Sequence, residues 1–143
     1  MHLSRYICTG AAFIGLAGVA AFATPNTMHH MGNAIHPSII NINMAPLGGS
    51  KQNGTARLSQ SGNNVMVKIA IFNEPRGASQ AAHIHRGKCP NINPVPYKGL
   101  RNVVRGTSVT TLPMNLRDLK RGQYAINVHD AKNPKRYVSC GDI

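Results

Sequence analysis

Hydrophobic and polar positions alternate along most of the chain after residue 38. The clearest run is Val65-Met66-Val67-Lys68-Ile69-Ala70-Ile71. There Val65, Val67, Ile69 and Ile71 fall on one side of a period-two ladder, which predicts a half-buried β-strand. Ile39, Ile40 and Ile42 begin a β-branched run, and residues 55–59 lead toward the next turn. Asn53-Gly54 between these two predicts a hairpin turn, since both residues tolerate positive φ. Ser61-Gly62-Asn63-Asn64 predicts the next turn, and Glu74-Pro75-Arg76-Gly77 ends the strand that follows it. Further short strands are expected at residues 81–85, 103–104, 108–112, 124–129 and 137–139. Pro90, Pro94 and Pro96 make residues 89–98 a loop. Residues 115–121 are one helical turn or a loop. Short strands at regular spacing with turn chemistry between them predict an all-β fold, an antiparallel β-sandwich or barrel, over residues 38–143.

The first 37 residues follow a different logic. Residues 1–23 place Arg5 before an apolar stretch at 11–22 and end in Ala21-Phe22-Ala23. This is the order of a secretory signal peptide, cleaved before Thr24. Its apolar stretch is too short to span a bilayer, so no transmembrane segment is expected in the mature form. The expected location is the periplasm or the exterior. Residues 24–37 are polar and aperiodic and read as a flexible arm rich in His and Met. Removing the leader also removes Cys8, which leaves Cys89 and Cys140. An even pair in an oxidising compartment reads as one disulfide, with two free thiols as the alternative.

Composition narrows the chemistry. The 143 residues carry 16 Lys and Arg against only 4 Asp and Glu, for a formal charge of +12. Glu74, Asp118, Asp130 and Asp142 are too few for paired-carboxylate catalysis or an all-oxygen calcium site. The basic surface suits anionic envelope components. No nucleic-acid partner is expected, because the mature chain offers only Phe72, Tyr97, Tyr124 and Tyr137 for base stacking and no basic-aromatic motif.

Histidines supply the most specific signal. In His83-Ile84-His85 the two imidazoles stand on one face of a strand, about 7 Å apart at Cα, while Ile84 faces the other way. In residues 124–129 the side chains of Tyr124, Ile126 and Val128 form the apolar face, so His129 points outward. The three imidazoles can then share one metal ion outside the apolar interior. Nitrogen donors of this kind suit zinc and copper, with copper(II) bound most tightly of the divalent first-row ions. Met28, His29, His30, Met31 and His36 in the arm form a second group for metal capture, because thioether sulfur favours copper(I). The alternative for the arm is a solvated leader in which these residues have no role.

The segments His83-Ile84-His85-Arg86-Gly87-Lys88-Cys89, Ile126-Asn127-Val128-His129 and Ser139-Cys140-Gly141-Asp142 resemble copper/zinc superoxide dismutases and the related small exported domains of the chordin-like (CHRD) set. The resemblance implies a Greek-key barrel of the dismutase-like fold, one copper ion on His83, His85 and His129, and a Cys89–Cys140 disulfide. It also implies superoxide as the reactant, with Arg86 or Arg136 as the residues that guide the anion. Two departures stand out. No histidine occurs between residues 86 and 128, so the zinc subsite is missing and no zinc is expected. Tyr137 occupies the position of the family's anion-holding arginine, three residues before the closing cysteine. The resemblance therefore implies copper binding or weak superoxide dismutation. The competing expectation is a non-catalytic adhesion or scaffold domain whose basic surface meets the envelope.

Overall fold

The structure, a computed structural model, describes residues 38–143. The expected leader and arm, with Met28, His29, His30, Met31 and His36, lie outside the described residues. The alternation seen in the sequence becomes eight strands and one short helix. They are β1 (Ile39–Pro46), β2 (Asn53–Ser61), β3 (Asn64–Phe72), β4 (Ser79–Lys88), β5 (Asn91–Val104), β6 (Thr107–Leu112), α1 (Leu116–Arg121), β7 (Tyr124–His129) and β8 (Tyr137–Asp142). Every neighbouring pair is antiparallel, and the order β1-β2-β3-β6-β5-β4-β7-β8 closes into a barrel. Strands β4, β5 and β6 are consecutive neighbours, and β7 returns by a long connection to lie beside β4, which is a Greek key. Pairing of Ala45 with Cys140 joins the first strand to the last.

The period-two side chains fill the interior. Ile42, Met44, Leu58, Val65, Val67, Ile69, Ile71, Ile84, Ile126 and Val128 are all buried in one cluster. Full burial of such a side chain contributes about 1.5–3 kcal/mol relative to exposure. Helix α1 adds Leu116 and Leu119 to this cluster. Its N-cap Asn115 accepts a hydrogen bond from the Arg117 N–H at 2.9 Å, and Gln60 Oε1 accepts one from the Leu116 N–H at 2.6 Å. Among the described residues no helix is long and apolar enough to cross a membrane.

Two local expectations are corrected. Asn53-Gly54 is not a turn but the start of β2, with Gly54 paired to Ile71 and to Met44. The turn lies earlier, where Gly48 and Gly49 have φ of 59° and 72°. Gly54 is needed for a different reason: a Cβ there would sit 1.9 Å from the Ala70 carbonyl oxygen. Residues 91–98 are also not a loop but the first part of β5. Proline fits because β5 meets β6 in register only at Val104 and Thr107, so Pro94 and Pro96 withhold no ladder donor on that side. On the β4 side the register shifts around His85, which pairs with Pro96.

Candidate metal centre

His83 and His85 project from β4, and His129 closes β7. Pairing of β4 with β7 sets His83 opposite Asn127 and Ile84 opposite Ile126. The isoleucines face the interior, so the histidines and Asn127 share the outer face. That face is not open to solvent, contrary to the simple outward reading. His85 is 0% and His129 7% exposed, and His83 is partly exposed. A second, smaller apolar cluster covers the wall, built from Ile92, Ala125 and Cys140 with Leu47, Cys89 and Tyr137 packed against it. Cys89 and Cys140 form a disulfide with a Cα–Cα distance of 6.0 Å, which ties the end of β4 to β8. The Cys89 N–H donates to Asp142 Oδ1 at 2.8 Å, and Lys88 Nζ lies 3.6 Å from Asp142 Oδ2.

Backbone carbonyls orient two of the rings. The Asn93 carbonyl accepts from His85 Nδ1 at 2.6 Å, and the Pro134 carbonyl accepts from His129 Nδ1. Each bond puts the proton on Nδ1 and leaves Nε2 as the nitrogen with the lone pair. This is the usual support of a metal-binding imidazole. His129 Nε2 lies 2.9 Å from His83 Nδ1 and 3.3 Å from Asn127 Nδ2. His85 Nε2 is buried and has no hydrogen-bond partner. The loop that carries Pro134 is itself fixed. Asp130 Oδ1 accepts from the N–H groups of Lys132 and Asn133, at 2.8 and 3.1 Å. These backbone bonds are the main reason the Asp130 carboxyl sits below its usual range. Gln80 adds a further anchor by donating through Nε2 to the His129 carbonyl at 2.9 Å.

His83 and His129 favour the neutral state that metal binding needs. Burial holds the His83 pKa below its ordinary value, and the neighbouring His129 and His85 push it the same way. Burial also lowers His129, against the opposing pull of the Pro134 carbonyl. One ligand atom from each of His83, His85 and His129 can be chosen so that all lie within 4.8 Å of one another. These residues fit a single metal ion: a pocket of nitrogen donors with one buried lone pair left unpaired. Among the described residues this is the only such group of three or more His, Cys, Asp or Glu side chains.

Arg86 and Arg136 are held by other contacts. The Arg86 guanidinium lies 4.7 Å over the Tyr97 ring and 5.5 Å from the Tyr124 ring. Arg136 donates from Nε and Nη2 to the Gly48 carbonyl, at 3.2 and 3.0 Å, and pairs with Asp130 at 3.4 Å. Tyr137 takes the place beside the imidazoles, its ring centroid 5.0 Å from that of His129 and 6.1 Å from that of His85. Sequence reasoning missed Asn93 and Pro134, which act through main-chain oxygen and leave no side-chain signature. It also missed Asn127, which was legible: two positions before His129 on a strand, it must share that residue's face.

No protein-family model matches the chain, and a search of curated proteins gives no match either.

Proposed function

We propose that this is an exported copper-binding protein of the superoxide dismutase-like type, with one three-histidine copper site and no zinc subsite. The observation that carries the reading is the unpartnered Nε2 of His85, fully buried in a pocket where two other imidazoles also converge. An unpaired buried polar atom costs about 1–3 kcal/mol. A bound cation would offset that cost. Strand order and the Cys89–Cys140 link further support the dismutase-like reading. Copper is preferred over other divalent ions because an all-imidazole set binds it most tightly and serves both of its oxidation states.

His85 and His129 would hold the ion through Nε2, with Asn93 and Pro134 fixing both rings. His83 would hold it through Nδ1, which requires giving up its bond to His129. Bound copper supplies a one-electron couple, the chemistry that removal of superoxide needs. The partial exposure of His83 leaves this side of the centre open to a small anion, and Tyr137 walls the other. The excess of cations over carboxylates raises the local concentration of such an anion.

Copper titration of the purified protein tests the reading. Saturation should come near one equivalent for the folded site, and His83→Ala and His129→Ala should each abolish it. Uptake that survives both changes would favour the scaffold reading, in which the basic surface meets the envelope. Superoxide removal by the loaded protein no faster than by the same amount of free copper would restrict the function to copper binding.

A further inference from the structure

Asn127 is completely buried, and its Oδ1 has no hydrogen-bond partner. A buried amide left half-satisfied in the middle of a strand requires a reason. Its neighbours are the metal-site rings: it lies opposite His83 in register, and its Nδ2 is 3.3 Å from His129 Nε2. That nitrogen has a single lone pair, which already faces His83 Nδ1 at 2.9 Å. The Asn127 amide is thus a second donor competing for one acceptor.

We propose that Asn127 is a fourth donor of the centre, supplying its side-chain carbonyl oxygen to the bound ion and biasing the site toward copper(II). The inference rests on the copper reading above. Once the lone pair of His129 Nε2 is engaged by an ion, the Asn127 NH₂ loses its acceptor. A half-turn of the amide exchanges nitrogen and oxygen within the same volume. Oδ1 then stands where Nδ2 stands now. Two donors about 2 Å from one ion, at a near-tetrahedral angle, lie roughly 3.3 Å apart. The observed spacing to His129 Nε2 matches that figure. Three imidazole nitrogens and an amide oxygen make a mixed N,O set, which suits copper(II) better than copper(I). The amide is neutral, so it adds a hard donor without changing the charge of the site.

The test compares Asn127→Val and Asn127→Asp with the unaltered protein. Affinities for copper(II) and copper(I) are measured separately by competition with chelators, and the copper(II) form is examined by electron paramagnetic resonance. Asn127→Val should lose at least tenfold in copper(II) affinity, keep copper(I) affinity within threefold, and show altered copper hyperfine splitting. Asn127→Asp should bind copper(II) at least as tightly as the unaltered protein. If the valine variant does not fold, the aspartate variant and Asn127→Ser, which is too short to reach, carry the same comparison. Unchanged copper(II) affinity and spectrum in the valine or serine variant would overturn the inference. So would an equal loss of both oxidation states, which would assign Asn127 only to holding His129. Failure of the unaltered protein to bind copper would instead overturn the reading on which the inference stands.

Discussion

His85 shows how a single side chain can work against the stability of the metal-free fold and for its chemistry. One of its nitrogens is satisfied by Asn93 and the other is buried without a partner. Replacing it by Leu removes the unpaired atom and keeps an apolar filling of similar size. The His85→Leu protein should therefore lose metal uptake, yet unfold within about 1 kcal/mol of the metal-free parent or above it. Denaturant melts beside metal titrations check both halves. The lowered pKa values of His83 and His129 set a second expectation at this scale. Both rings are more easily protonated in the unfolded chain than in the fold. Their contribution to stability is thus complete above the unfolded pKa of about 6.5 and is lost as pH falls through the lower folded values. Metal uptake should follow the same course, staying flat above pH ~7 and declining only below the ordinary histidine range. Thermal melts of the metal-free protein and metal release across pH 4–8, as an approximate window around those pKa values, would reveal the trend. An increase in stability on acidification would contradict it.

Strands were legible where side chains alternate and obscure where the backbone decides. Val65, Val67, Ile69 and Ile71 announce β3, and Tyr124, Ile126 and Val128 announce β7, because packing one face against a core imposes the period. His83, His85 and His129 could be set on the opposite face by the same count. The cover over that face could not, since Ile92, Asn93 and Pro134 reach it through a proline-rich strand and an irregular loop. Pro94 and Pro96 argue for a loop until the missing ladder on the β6 side is known. Gly54 misled for a related reason, because glycine serves close approach as readily as it serves a turn. Gly54→Ala should destabilise the fold by about 3 kcal/mol, since its Cβ would meet backbone oxygen rather than a movable side chain. The melting temperature should fall on the order of 10 °C. A loss below about 0.5 kcal/mol would mean that β2 and β3 can separate locally without penalty.

At the level of the whole molecule, the disulfide and the candidate metal site lie on the same wall. Cys89 and Cys140 are 51 positions apart, so their link restricts the unfolded chain by about 4 kcal/mol in the loop-entropy account. Cys140 also belongs to the apolar cover that shields the imidazoles. Cys140→Ser should accordingly lower the melting temperature and weaken metal retention together, and calorimetry of both forms with and without metal would separate the two effects. In the parent protein a hundredfold excess of free metal over Kd should stabilise the fold by about 2.7 kcal/mol, and a chelator should reverse the gain.

Closure of the barrel has a consequence for how the protein is made. Strand β1 finds one of its two neighbours only in β8, through Ala45 with Cys140 and Pro46 with Ser139. During synthesis β1 must wait, half-paired, for β8. His83 and His85 leave the ribosome well before His129 and before the cysteine that locks the wall above them. A nascent chain can therefore expose two of the imidazoles, but the covered wall is complete only after β8 has been translated and Cys140 has joined the cluster over them.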